Sequence, residues 1–179
     1  SYTEIVRWSW EMLSEGRIPV FFAYEIGKAQ ELVKLFNEHS GVDVVVEDSI
    51  HRIGAVYGRY GITLRSVSRK SEEGRELLKR GDCILVVPTR TSLHTAQQYG
   101  NIATAVTTGW SLLYNYRAYD RAFPLSSHCD FDHLLRFTKG SRARRVYPFG
   151  SHAKEFAHWL NKKSGIGATP LYHRRDIDT

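Results

Sequence analysis

Two cysteines in 179 residues, Cys83 and Cys129, are too few and too far apart for a disulfide framework or the paired spacing of a zinc ribbon. Two reduced thiols in a cytoplasmic protein are expected instead. Uninterrupted apolar stretches are short, none approaching the ~20 residues that a membrane span needs. The opening residues carry no signal-peptide pattern, so the expectation is a soluble cytoplasmic chain with no membrane partner. There is no internal repeat, no low-complexity tract and no linker, which favours a single domain over residues 1–179 with a loose tail only at 174–179. The chain opens on Ser1 rather than Met, as a processed, tagged or excised sequence would.

What is present is ordinary for a globular protein: 42% hydrophobic and 25% charged residues, enough for one domain with a real core. The formal net charge of +6 and a pI near 9.4 lean toward an anionic partner, although proteins that bind no nucleic acid often carry a similar surplus.

Apolar periodicity alternates between two forms along the chain. Residues 2–13 place Ile5, Trp8 and Leu13 at helical spacing, and Gly16 closes that segment. Residues 18–23 form a continuous apolar run, the pattern of a strand buried on both faces. A helix starting near Glu25 points Ala29, Leu32, Val33 and Phe36 inward. Further buried strands are expected over 42–46, 83–87, 102–106 and 122–125, with a helix over 50–60 and a solvated connection plus one surface helix over 63–81. Strand and helix alternate nearly throughout, which predicts an α/β fold with a mostly parallel sheet flanked by helices.

Chemistry gathers where Pro124-Leu-Ser-Ser-His128-Cys-Asp-Phe131 carries an apolar strand into a polar turn and then a helix. Strand ends are where α/β sheets keep their ligand sites, and Ser126, Ser127 and His128 would stand there beside a helix N-terminus that attracts anions. The same residues also suit helix capping and a hydrogen-bonded turn. A second short strand is expected to end at Gly150. Lys28, after Gly27, lacks the preceding glycine and spacing of a Walker motif and reads more simply as a local cap or packing residue. Lys139, Arg142, Arg144 and Arg145 form a basic cluster, either a solvated turn or a backbone-tracking groove. Trp110, beside Gly109 at a strand end, is the tryptophan considered for base stacking. Tyr114, Tyr116 and Tyr119 read as packing residues first.

Three segments in order resemble a known family. Pro19-Val-Phe-Phe-Ala-Tyr-Glu-Ile-Gly27-Lys28-Ala29-Gln30-Glu31-Leu32 resembles the strand and Gly-Arg-x-Gln-Glu helix of the β-CASP region in metallo-β-lactamase-fold nucleases, with Lys28 in place of the usual arginine. Thr107-Thr108-Gly109-Trp110 and Tyr119-Asp120-Arg121-Ala-Phe-Pro-Leu-Ser126-Ser127-His128-Cys-Asp130-Phe are similar to the family's Ser-Gly-Trp and Ser-x-His-Ala-Asp-Phe segments. Val146-Tyr-Pro-Phe-Gly150 is similar to the strand that usually ends in Val-His-Gly. The nearest flavour is that of the DNA-ligase-associated exonucleases and the archaeal cleavage-factor-like proteins, and residues 120–170 resemble the closing segment of the metallo-β-lactamase fold.

The resemblance implies that His128 contacts the scissile phosphate and helps protonate the leaving oxygen, a task that suits an imidazole. By their own chemistry, the hydroxyls of Ser126 and Ser127 and the backbone N–H groups around Thr107, Thr108 and Gly109 are candidate donors to phosphate oxygens, with Lys28, Arg144 and Arg145 as further nucleic-acid-binding candidates. The resemblance also implies zinc in the complete family site, but the His-x-His-x-Asp-His signature that holds it is missing. The eight histidines here include no His-x-His pair. Gly150 stands where the last metal-binding histidine would be, with His152 two residues on as a substitute or, more simply, a residue of the next helix's first turn. The expectation is therefore a non-catalytic or incomplete β-CASP-type protein. It would bind nucleic acid or a protein partner from replication or RNA processing, and would need no cofactor by itself. The alternative is a fragment of a zinc-dependent nuclease whose other half, or a partner chain, supplies the ligands.

Overall fold

The computed structural model describes residues 2–126 and 128–172. They fall into two compact units, Ser1–Ser127 and His128–Thr179.

The first unit is built on a six-stranded sheet of β1 (Ile18–Ala23), β2 (Asp43–Val46), β3 (Val67–Ser68), β4 (Cys83–Pro88), β5 (Ile102–Thr107) and β6 (Arg121–Phe123). Their order is β3-β2-β4-β1-β5-β6, and every pairing is parallel. The central strand β1 pairs Val20 with Leu85 on one side and with Thr104 on the other. All six residues of β1 and of β4 are buried, as their unbroken apolar runs require.

Alternation along the strands separates two cores. On one face Phe21, Ala23, Val44, Val46, Ile84, Val86, Ala103 and Ala105 pack beneath α1 (Tyr2–Ser14), α2 (Lys28–His39) and α3 (Asp48–Arg59). Trp8, Phe36 and Phe123 surround Phe21, at ring distances of 5.5, 5.2 and 6.2 Å. On the other face Val20, Phe22, Val45, Leu85, Val87 and Val106 meet α4 (Glu72–Arg80), α5 (Leu93–Gln97) and the rings of Tyr116 and Tyr119. Helix α4 starts on the Ser71 hydroxyl, which accepts from the Gly74 N–H, and stops at the left-handed Gly81. Gly74 sits so tightly on β3 that a Cβ there would lie 2.2 Å from the Ser68 carbonyl oxygen.

The second unit holds α6 (Phe131–Gly140), β7 (Arg145–Val146), α7 (Ala153–Trp159), a π turn (Leu160–Ser164) and β8 (Gly167–Ala168). Its two strands pair in parallel, and the Asn161 side chain donates to the Ala168 carbonyl while accepting from the Ala168 N–H. The Phe131 ring stands edge-on to Phe156 and Trp159 at 5.7 and 5.2 Å.

Several local expectations are corrected. The strand expected over 122–125 is Arg121–Phe123, because Pro124 has no N–H to continue the ladder. The strand expected to end at Gly150 stops at Val146, before Pro148, and Phe149 then makes only an isolated bridge to Leu171. The polar segment 63–81 holds the additional edge strand β3 as well as its expected helix. Of the three tyrosines expected to pack, Tyr116 and Tyr119 lie against the core from the irregular segment 114–119, whereas Tyr114 is exposed.

Candidate functional site

In a parallel sheet, adjacent strands whose connections leave to opposite faces open a crevice at their C-terminal ends. Strands β1 and β5 are such a pair: β1 continues into α2 on one face, and β5 into the 108–120 loop that carries Tyr116 and Tyr119 to the other. Three segments of the first unit meet there.

The first is the turn into α2. Gly27 takes φ +83°, a left-handed conformation that glycine adopts without a steric penalty, and its N–H donates to the Gln30 side chain at 2.7 Å. Gln30 in turn donates to the Glu25 carbonyl at 3.0 Å. Glu25 is also paired with Arg90 from the loop after β4. The motif residues Gly27, Gln30 and Glu25 thus fold this turn upon itself.

The second segment follows β5. The Thr107 hydroxyl donates to the Phe22 carbonyl at 3.2 Å, tying β5 to β1 where both strands end. Thr108 donates its N–H to the Phe123 carbonyl at 3.0 Å, and its hydroxyl accepts from the Trp110 N–H. A 3₁₀ turn, Gly109–Leu112, begins at this point.

The third segment is the turn after β6. A Cβ at Gly109 would lie 3.0 Å from the Ser126 Cβ and 3.1 Å from its Oγ, so the glycine is what lets the second and third segments touch. Lys28 completes the junction. It is only 2% exposed, and its ammonium donates to the Leu125 carbonyl at 2.5 Å, 97 residues along the chain. The same ammonium lies 5.4 Å from the Tyr24 ring centroid. Burial pulls the Lys28 pKa below the usual lysine range, while the nearby Glu31 carboxylate acts in the opposite direction.

The loop between β5 and β6 is fastened at its far end by Asp120. One carboxylate oxygen accepts from both the N–H and the hydroxyl of Thr104, each at 2.7 Å, and the other accepts from Arg17 at 2.9 Å. Burial pushes this carboxyl up, but those hydrogen bonds and the guanidinium outweigh it and hold the pKa below the ordinary value. Asp120 was part of the sequence resemblance yet had no assigned task. Its partners are Thr104, within β5, and Arg17, just before β1, so only the fold reveals its role as a loop anchor.

The structure thus brings together Lys28, Thr107, Thr108, Gly109 and Ser126 of the sequence-derived set. Ser127 lies outside the described residues. His128, Arg144, Arg145 and His152 belong to the second unit, and all four are exposed. Arg145 stands in β7, and His152 occupies the N-cap position of α7, at the start of that helix rather than at the end of a strand. Asp130 caps α6 by accepting from the His133 N–H at 2.7 Å. Among the described residues no three His, Cys, Asp or Glu side chains come together as a metal site. Among the described residues no helix is long and apolar enough to cross a membrane.

No protein-family model matches the chain. Over 164 residues, 89% of this chain, it is 30% identical to a protein of Opitutus terrae described as a "Probable DNA ligase". That alignment covers 16% of the ligase, so the chain spans about a sixth of the length of this curated relative.

Proposed function

We propose that the crevice at the ends of β1, β5 and β6 binds the phosphodiester backbone of nucleic acid. The observation that carries this reading is the convergence, at one switch point, of the Gly27–Lys28 turn, the Thr107–Gly109 segment and Ser126. The exposed Ser126 and the half-exposed Gly109, which carries no side chain, suit close approach by phosphate oxygens, while Thr107 and Thr108 are buried and hold the segment in place. Lys28 acts through the Leu125 turn, as a positioning residue that holds Ser126 in place. The likeness to part of a probable DNA ligase supports nucleic acid as the ligand class.

In this reading the chain is a β-CASP-like, non-catalytic or incomplete module, one domain whose 120–170 segment corresponds to the closing part of a metallo-β-lactamase fold, working in the cytoplasm on nucleic acid or with a replication or RNA-processing partner. Its own residues bind and orient the backbone. Hydrolysis of a phosphodiester needs far more acceleration than the ~10²–10⁴-fold that a lone general acid such as His128 supplies. The alternative is that the chain is part of an active nuclease, with His128 as the general acid and zinc held by ligands from another segment or a partner chain. The ordered family motifs in the sequence favour keeping it in view.

Both readings meet in one experiment on the purified chain. End-labelled single-stranded DNA and RNA are titrated at several salt concentrations, with and without zinc or manganese, beside Gly109→Ala and His128→Ala. Binding that weakens steeply with salt, drops several-fold in Gly109→Ala and is accompanied by no cleavage is the expected result. Cleavage that vanishes in His128→Ala would replace it with the nuclease alternative. Absence of salt-dependent binding would overturn both.

A further inference from the structure

The segment that follows Gly109 presents an unusual surface. Trp110 is 47% exposed and Tyr114 61%, their ring centroids 5.7 Å apart with the planes tilted by 48°. Leu112 and Leu113 between them are exposed as well. Trp8 shows the contrast, since its ring is enclosed by Phe21 and Phe123 and stabilises the core. Trp110 has no such role, and leaving so much aromatic surface in water is costly unless it is used.

The backbone under these rings is held firmly. The Thr108 carbonyl accepts from both the N–H and the hydroxyl of Ser111, and the Trp110 carbonyl accepts from the N–H groups of Leu113 and Tyr114 at 2.9 and 2.8 Å. Thr108 also caps the Trp110 N–H. A ring pair on a turn fixed in this way loses little freedom on binding. Its neighbours are the residues of the crevice itself: Trp110 follows Gly109 directly, and Gly109 is packed on Ser126.

Resting on the backbone-binding reading above, we propose that Trp110 and Tyr114 form a stacking platform for an unpaired base, which makes the ligand single-stranded. Apolar rings directly beside hydroxyl and backbone groups match the two halves of a nucleotide, base and phosphate. A duplex hides the faces of its bases and cannot use the platform. Stacking of this kind is indifferent to base identity, so discrimination is between strands and duplexes rather than between sequences.

The test uses fluorescence anisotropy with the 179-residue chain and a labelled strand of roughly a dozen nucleotides. The same length is supplied as a single strand, as a duplex and as an abasic strand that keeps the phosphates without the bases. Trp110→Ala should weaken single-strand binding about tenfold or more, Tyr114→Ala less, and Trp110→Phe should restore most of it. Abasic-strand binding should be the same in all four proteins. Far-UV circular dichroism and the melting temperature establish that each variant is folded, as substitution at exposed positions allows. Salt-dependent binding of single and abasic strands that ignores Trp110→Ala would overturn the platform and leave the backbone reading standing. Loss of self-association in Trp110→Ala without a change in strand binding would assign the rings to a second copy of the chain, again overturning the proposal. Failure of the wild type to bind any strand would overturn both.

Discussion

The two units solve the burial problem differently. In the first, the interior strands β1 and β4 are covered on both faces, and the sheet has a complete apolar layer on each side. In the second, the strands are two residues long, and Phe137, Tyr147, Phe149, Leu171 and Tyr172 remain exposed although Phe156, Ala157 and Leu160 are buried. A sheet with helices on both faces generates its own core. A stretch of about 50 residues with one small cluster buries too small a fraction of its surface to be secure alone.

Cutting the chain tests this contrast most severely. Expressed separately, residues 1–127 should retain helical and strand circular dichroism and unfold cooperatively, whereas residues 128–179 should show neither a cooperative transition nor dispersed amide resonances. A cooperatively folded second fragment would break the comparison. A point substitution sharpens it with a smaller effect. Phe21→Ala empties the most crowded part of the first core and should cost about 3–5 kcal/mol by denaturant unfolding, while Phe137→Ala should change stability by no more than about 0.5 kcal/mol. Near-equal values would mean that Phe137 is covered in solution.

The smallest effect concerns acid. Asp120 and Asp130 are both held below the ordinary carboxylate value, the first against the pull of burial by Thr104 and Arg17, the second chiefly by the N–H and ring of His133. With the folded pKa depressed, the unfolded chain binds more protons in the range between the two values. The stabilisation is therefore present above the ordinary carboxylate pKa and is lost as pH falls through the folded one. Asp120→Asn should lower stability near neutral pH by about 1 kcal/mol, at the low end for such bonds because the carboxylate is partly exposed. Asp130→Asn should do less. Both differences should shrink below about pH 4, and a difference for Asp120→Asn that is flat with pH would show that its charge contributes nothing.

Much of the first unit is legible in the sequence. The runs at Ile18, Cys83 and Ile102 read as buried strands because a central parallel strand has no polar face to interrupt it. Strand β3 was not legible: two residues print no pattern, and Val67 and Ser68 are strand only because Val45 and Val46 lie beside them. The strand before Gly150 was overread for the converse reason, since apolar residues without a neighbouring sheet do not make one. Of the crevice, the Gly27 turn and the Ser126 segment were visible as motifs. The sequence presents Lys28 as a local cap or packing residue, and its bond to a carbonyl 97 residues away depends on tertiary structure that local patterns do not carry.

The two cysteines are chemically unlike. Burial, with Asp82 and Asp43 adding to it, pushes the Cys83 thiol up to about 12, whereas Cys129 is exposed and directly follows His128. A maleimide or spin label applied to the folded, unmodified chain would therefore go to one position. That position adjoins the histidine on which the nuclease alternative turns, so the wild-type sequence already contains a single-site reporter for what happens there when nucleic acid is added.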